Sequence, residues 1–528
     1  MSCARRKVTD EILRLLKPVD FEAIIYPEVG EVRQHLVNKQ CVIASLTDPK
    51  QKSIRQQLLT EIKEAKRLVE KSGVNTSQLV IAITDYIVDF ASENGFGICI
   101  KNGTAFIYNG QYWIPMDKQD TEVFLMQVAV KLGLNKYKAE YFKFVDELYK
   151  QFCLSAASTA PFSEKSDSVL INCLNGTLEI NEGVVALRPF DNADFLKYQL
   201  GFNYDPSLAA PQFQSFLDKV LPDVDCQSLL AEYIGYVFLK NGKLKLEQVM
   251  ILYGGGHNGK SVFFDIINAL FGKENVSCFS PQELFRENGG SANRAVIANK
   301  LLNYSSEAGN ELNAEMFKKM ASGEPVTARA LYGHPFEVTD YAKLMFNANQ
   351  LPQAPEMTPA FYRRLIIMPF TVEILASERD YGLAQKIISM ELSGVLNWAL
   401  NGLSRLLKNK KLTFAAVSDS YLKEYQTESD SVLLFMQEYS YQPSEIWMPL
   451  FEFYGEYSGF CSRNGYKAIS AKKVAQRLRQ AGVRIERKSM GNAVFVARPV
   501  EELEKLYQEE LKDNPYHKFQ PRAKRVAV

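Results

Sequence analysis

The residues Gly254-Gly255-Gly256-His257-Asn258-Gly259-Lys260-Ser261 follow an apolar run, Val249–Tyr253, and open a second one, Val262–Ile267. Strand, glycine loop and helix in that order form a cradle for a polyphosphate. Glycines let backbone N–H groups turn inward, and the helix start adds the positive end of its dipole. Lys260 can reach the β- and γ-phosphates, and the Ser261 hydroxyl can hold Mg²⁺. A glycine turn with a merely solvated lysine is the alternative. The full G-x-x-x-x-G-K-S spacing between a strand and a helix favours a nucleoside triphosphate, ATP. The loop does not say what the hydrolysis drives.

Phosphoryl transfer needs further groups around such a cradle. The short apolar segment from Lys300 to Ser306 ends at Glu307, the candidate for orienting the attacking water and for helping Ser261 at the metal. Many sites of this kind carry two acids there. Here the first position is Ser306, so Mg²⁺ would rest chiefly on Ser261, the phosphates and water. A third apolar segment, Lys343–Ala348, is followed by Asn349, whose amide can sense the γ-phosphate, although an asparagine in a turn before proline is common. Arg363 and Arg364 stand just before the apolar run Leu365–Phe370, a good place for an arginine finger that enters a neighbouring subunit's site. Arg364 is the preferred finger. Lys319, Arg329, Tyr332 and His334 lie between the second and third segments. Cations bind phosphates and rings stack on bases, but composition alone reads better as a solvated helix and hairpin.

The elements that must position these groups follow from periodicity. Residues 1–94 read as helical and charged. Asn102-Gly103, Asn109-Gly110 and Asn175-Gly176 are hairpin signals within an α+β region, 95–210, which also holds a helical stretch at about 120–155 and a loop at 155–168. Residues 211–246 read as a helical collar, 247–372 as the nucleotide-binding core and 373–430 as a helical extension. In 431–500, Ser470 can cap a helix through Gln480 that stops at Gly482, and a hairpin turns around Met490-Gly491-Asn492. Helix plus hairpin resembles a winged helix, with Lys473 and Arg477 on the outer face of its helix. From 461 to 528, sixteen Lys/Arg against seven Asp/Glu leave a local net of +9, suited either to phosphate contacts or to a protein-docking winged helix. Residues 501–528 read as a charged helix and a basic tail. The fold class expected is α/β: a P-loop core with a helical collar and a C-terminal winged helix.

Composition bounds the rest. At 528 residues the chain should hold roughly three or four domains. The whole-chain net charge is only +1, so any DNA contact must come from local patches. Eight scattered cysteines without a C-x-x-C pair and four separated histidines speak against a zinc site and for reduced thiols. No secretory signal or membrane-spanning run is evident. A soluble protein of the bacterial cytoplasm or of a viral replication compartment is expected.

The order of motifs resembles a superfamily 3 helicase, and more narrowly the helicase half of phage/plasmid and poxvirus-type primase-helicases. The matching pieces are Gly254 to Ser261, the strand ending at Glu307, Lys319 to Tyr332, Asn349 with Pro352, and Arg363-Arg364. Upstream, Asn175-Gly176-Thr177-Leu178, Tyr204-Asp205-Pro206 and the Glu232–Tyr236 stretch are similar to the domain that precedes the helicase in this family. The resemblance covers about 95–500. It implies an AAA+-like ring, usually hexameric, with ATP at subunit interfaces and hairpins that pull single-stranded DNA through a central channel. Lys319, Arg329, Tyr332 and His334 then become candidate DNA contacts. Only about 90 residues precede the matching region, too few for a polymerase-like fold, so primer synthesis is expected from a separate primase or polymerase. The function expected is an ATP-dependent helicase acting on single-stranded and forked DNA. Two rivals stay open: an ATP-assembled initiator that does not unwind, and a small-molecule phosphotransferase.

Overall fold

The computed structural model describes residues 3–27, 38–40, 42–43, 52–71, 74–101, 103–157, 168–181, 183–240, 243–286, 289–309, 312–329, 335–352, 358–466 and 468–499. The expected tail, 501–528, lies outside them. The chain divides into two compact units. One comprises Met1–Ala210, Ile266–Asn275 and Lys386–Asn409; the other comprises Pro211–Asp265, Val276–Gln385 and Lys410–Val528.

A five-stranded parallel sheet organises the second unit. Its order across the sheet is Leu365–Pro369, Val249–Tyr253, Lys343–Ala348, Leu302–Ser305 and Val276–Ser277. The strand that follows the hairpin segment is thus inserted between the glycine-loop strand and the strand that leads to Glu307. Register places Tyr253 beside Ala348 on one side and beside Pro369 on the other, and Phe346 beside Ser305. The strands read as continuous apolar runs because both faces of a parallel sheet are covered; Val249 to Leu252 and Leu365 to Pro369 are buried throughout. The helices Pro211–Val220 and Val224–Tyr236, expected as a separate collar, pack within this unit. The Tyr233 hydroxyl donates to Leu344 O at 2.5 Å, and the Phe213 and Phe263 rings stack at 6.4 Å.

Between the third and fourth strands in sequence, the helix Ala314–Ala321 starts at Asn313, whose side chain accepts from Glu315 N and Met316 N. The antiparallel hairpin Val326–Arg329 with Pro335–Val338 follows. Val326 and Ala328 turn inward while Thr327 and Arg329 turn out, the period of a half-buried strand. At the C-terminal end the order is helix Ser431–Glu438, strand Gln442–Pro449, helices Leu450–Arg463 and Ala471–Gln480, then the strands Ile485–Lys488 and Gly491–Ala497, the last lying between the other two. Phe435, Phe453, Tyr457, Phe460, Val474, Leu478 and Val494 form its core. Ser470 caps its helix by accepting from Lys473 N, and Gly482 takes φ 83° just past it.

The first unit holds two antiparallel meanders, Gly97–Lys101/Thr104–Tyr108/Trp113–Met116 and Val169–Cys173/Gly176–Asn181/Val184–Arg188. The first meander packs with helices Thr76–Glu93, Lys118–Lys131 and Phe142–Ser155 around Ile83, Ile87, Ile107, Leu125, Val128 and Leu148.

Candidate functional site

The loop after Val249–Tyr253 is tied to the ends of both neighbouring strands. Gly254 N donates to Ala348 O (3.1 Å), Phe370 N to Tyr253 O (2.7 Å) and Ile374 N to His257 O (2.8 Å). Asn258 is buried, and its side-chain amide donates to Gly255 O (2.8 Å) and to Phe370 O. A Cβ on Gly254 would lie 1.9 Å from Phe370 O, so only glycine lets the loop pass this close. Gly259 takes φ 86°, and a Cβ there would meet Val220 and Phe216 within 3 Å. His257 holds φ 59°, an uncommon conformation for a residue with a side chain.

Lys260 is the first residue of the helix Lys260–Phe271 and is buried. Its ammonium donates to Gly254 O (2.7 Å), Gly255 O (2.8 Å) and Asn258 Oδ1 (3.1 Å). Burial pushes it down from 10.5 to about 8. A cavity of about 640 Å³ opens beside this loop, within the usual range for a small-molecule site. Its walls come from the Pro211–Lys219 stretch, from His257 to Asp265 and from Ile374 to Ala384. Ser261 is exposed on the wall; Asp265, one helical turn on, is exposed there too. Tyr381, also on the wall, is 92% exposed, and Lys219 pairs with Glu378 across 2.7 Å. A loop held open by obligatory glycines, a buried ammonium and a hydroxyl on the cavity wall fit a polyphosphate with a bound divalent ion.

Glu307 and Asn349 are exposed at the same edge of the sheet, beyond the ends of the strands Leu302–Ser305 and Lys343–Ala348. Neither lines the cavity itself. The backbone of Glu307 is held by the Ser305 hydroxyl, which donates to Glu307 O at 2.9 Å. Asn347, two residues before Asn349, is buried and accepts from the Tyr304 hydroxyl at 2.8 Å, a strand-to-strand tie.

The two arginines separate sharply. Arg364, the finger expected from sequence, is buried inside its own chain. Its guanidinium donates to Ser322 Oγ (2.9 and 2.8 Å), Ala360 O (2.6 Å) and Glu247 Oε2 (3.3 Å). A side chain so engaged is not available to a neighbour. Arg363 has a 66% exposed side chain and stands 4.0 Å from Glu247. The outward residue is therefore Arg363. Glu247 is held below the usual carboxylate range by Lys245 first, then by Arg364 and Arg363, against partial burial.

Lys319 is half-buried on the helix that Arg364 grips through Ser322, and Arg329 is exposed on the hairpin. Arg294, buried in the helix Gly290–Ile297, donates to Thr327 O (2.9 Å) and Leu284 O (2.8 Å) and so fixes the hairpin's base. Tyr332 and His334 lie outside the described residues. In the C-terminal region Lys473 is exposed, but Arg477 is not the free outer cation expected: its guanidinium meets Asp430 at 3.4 Å and is only 25% exposed. Helical phase turned it toward the start of Ser431–Glu438.

Sequence reasoning missed three residues: Asp265 and Tyr381 on the cavity wall, and Glu247 beside the two arginines. Asp265 carried a signal in its i+4 spacing from Ser261. Tyr381 sits in a segment that only the fold brings to the cavity, whereas Glu247 precedes the strand Val249–Tyr253, at the end opposite the glycine loop.

Residues 252–364 match a family of unknown function, DUF5906, and residues 84–222 match the family described as D5 N terminal like. Two viral proteins are similar in sequence. "Putative helicase L207/L206" of Acanthamoeba polyphaga mimivirus is 22% identical over 273 residues, 49% of this chain and 27% of that protein. "Putative helicase 121R" of Invertebrate iridescent virus 3 is 24% identical over 317 residues, 52% of this chain and 33% of that one. The chain thus spans a third or less of the length of these relatives. Two apo structures of the NrS-1 C-terminal region align at 10% identity over 78% of this chain, with TM-scores of 0.45 and 0.44.

Proposed function

The chain belongs to the superfamily 3 primase-helicases of phages and viruses, and on that premise we propose that it is an ATP-driven DNA helicase working as a ring in replication. The observation that carries this reading is the shared edge of one parallel sheet. From three adjacent strands leave the glycine loop, Asn349 and Glu307, and the chain between the last two builds the hairpin that carries Arg329. A phosphotransferase for small molecules has no use for that hairpin.

In this reading Lys260 and the loop amides hold the β- and γ-phosphates of ATP. The Ser261 hydroxyl would hold Mg²⁺, helped by Glu307, and the ion when bound would neutralise phosphate charge. Glu307 orients the attacking water for in-line displacement, and Asn349 senses the γ-phosphate. Arg363 enters the next subunit's site, while Arg364 acts as the anchor that aims it. Lys319 and Arg329, with Tyr332 and His334 of the sequence between Arg329 and Pro335, grip single-stranded DNA. The P-loop core is read as AAA+-like, and the C-terminal region as a winged helix that offers Lys473 to DNA. The work would be done in the cytoplasm or a replication compartment; among the described residues no helix is long and apolar enough to cross a membrane.

A forked-duplex assay tests the proposal. The parent chain should unwind the fork with ATP and fail with a non-hydrolysable analogue. Lys260→Ala should lower DNA-stimulated ATPase by on the order of a hundredfold or more while its thermal unfolding stays cooperative. ATPase that is indifferent to both DNA and Lys260→Ala would sink it.

A further inference from the structure

A second feature lies in the first unit, on residues that the proposed function does not use. The short helix Lys136–Ala139 and the helix Phe142–Ser155 meet at an elbow. Their inward residues fill the core: Ala139, Phe144, Leu148 and Phe152 are at most 3% exposed. The elbow also carries three large rings that the core does not take. Tyr137 is 87% exposed, Phe142 69% and Tyr141 49%. The rings stand on fixed backbone. Asn135 Oδ1 accepts from Tyr137 N (3.0 Å), Glu140 N donates to Lys136 O (2.9 Å) and Val145 N to Tyr141 O (3.1 Å). Tyr141 and Phe142 meet edge to face at 5.1 Å.

Cations interleave the rings. The sequence from 136 to 143 is Lys-Tyr-Lys-Ala-Glu-Tyr-Phe-Lys, with three lysines to one acid. Lys136 and Lys143 are exposed and Lys138 is half-buried. The acid, Glu140, lies 3.8 Å from the Lys136 ammonium, a loose and exposed pair. Solvent-exposed rings offer faces on which bases stack, and ammonium groups between them match a phosphate backbone. A protein partner fits less well, because the buried centre of a protein interface is depleted in lysine.

We infer that the Lys136–Lys143 elbow is a contact for single-stranded DNA, distinct from the hairpin of the nucleotide-binding unit. The inference rests on the reading that the chain acts on single-stranded DNA. The elbow would hold the strand by stacking and charge without base selection, and it would do so without nucleotide, since no part of the ATP site contributes to it.

Fluorescence anisotropy with a labelled oligo-dT, the full chain and no nucleotide tests this. The Tyr137→Ala/Tyr141→Ala/Phe142→Ala variant should bind at least about tenfold more weakly, since each stacked ring contributes on that order. The Lys136→Gln/Lys138→Gln/Lys143→Gln variant should flatten the log–log salt dependence by about 2, at ~0.7 per phosphate contact on single strands. Basal ATPase and melting temperature should stay at the parent value for both. If both variants bind like the parent while Lys319→Ala/Arg329→Ala loses binding, the elbow proposal is overturned and the helicase reading stands. If the parent binds no single-stranded DNA, both fall. A ring variant that changes oligomeric state in light scattering, with DNA binding intact, would reassign the elbow to a subunit contact and overturn the inference.

Discussion

Lys260 sits where burial has moved its titration to about 8. Between about pH 8 and the ordinary lysine range the folded chain binds fewer protons here than the unfolded chain. This lysine therefore costs stability below pH 8, and the cost fades as pH rises toward its unfolded value. Polyphosphate binding runs the opposite way, because the protonated form attracts the ligand. Nucleotide affinity should fall as pH rises through 8, and binding at about pH 8.5 should take up a proton. Calorimetry in two buffers of different ionisation enthalpy reads that uptake. Lys260→Arg, which stays charged, should lose it; equal uptake in parent and variant would refute the assignment. At this scale the residue types were legible from their spacing, but their directions were not. Nothing in "Arg-Arg" says which guanidinium turns inward. That is decided by Ser322 and Glu247, forty-odd and more than a hundred positions away. Arg477 met the same difficulty: a helical face that looked free in sequence is covered by Asp430.

Among the elements, the clasped glycine loop makes the sharpest demand. A methyl on Gly254 would sit 1.9 Å from the Phe370 carbonyl, whereas one on Gly255 would meet nothing within 4 Å. Gly254→Ala should therefore lose about 1–3 kcal/mol of stability, as overpacked sites do, together with most nucleotide binding. Gly255→Ala should stay within about 1 kcal/mol of the parent. Differential scanning fluorimetry with and without ATP compares them; equal melting of the two variants would deny the clasp. Elements bounded by local chemistry were readable. The Asn-Gly turns gave the meanders, Ser470 and Gly482 bracketed their helix, and the glycine loop joined a strand to a helix. Sheet order was not readable. The neighbours of Val249–Tyr253 begin more than ninety residues later in the chain, and only burial of both faces selects them.

For the whole molecule, linear boundaries were the least legible feature. Residues 211–246 joined the sheet's unit, while 266–275 and 386–409 joined the other, because packing follows contact in space and not chain order. The claim that belongs at this scale is cooperation between subunits. Arg363→Ala should fold like the parent yet lose most DNA-stimulated ATPase, by about a thousandfold or more if it serves as an arginine finger. Mixed with Lys260→Ala subunits it should recover part of that activity, since some interfaces then pair an intact cradle with an intact arginine. Absence of rescue across all mixing ratios would argue against a shared site. Arg364→Ala should behave differently, melting early because Ser322, Ala360 and Glu247 lose their partner.

The strand Leu365–Pro369 begins one residue after the anchored Arg364 and ends beside Phe370, whose carbonyl clasps the glycine loop. It is about 17 Å long at ordinary strand rise and is paired along its whole length to Val249–Tyr253. Such a strand can slide or tilt but cannot stretch. In the proposed ring, a pull on Arg363 from the neighbour's phosphate would arrive at the subunit's own cradle as a shift of the clasp. Each rod would then pass a timing signal from one nucleotide to the next, and hydrolysis would travel round the ring in turn instead of firing at random.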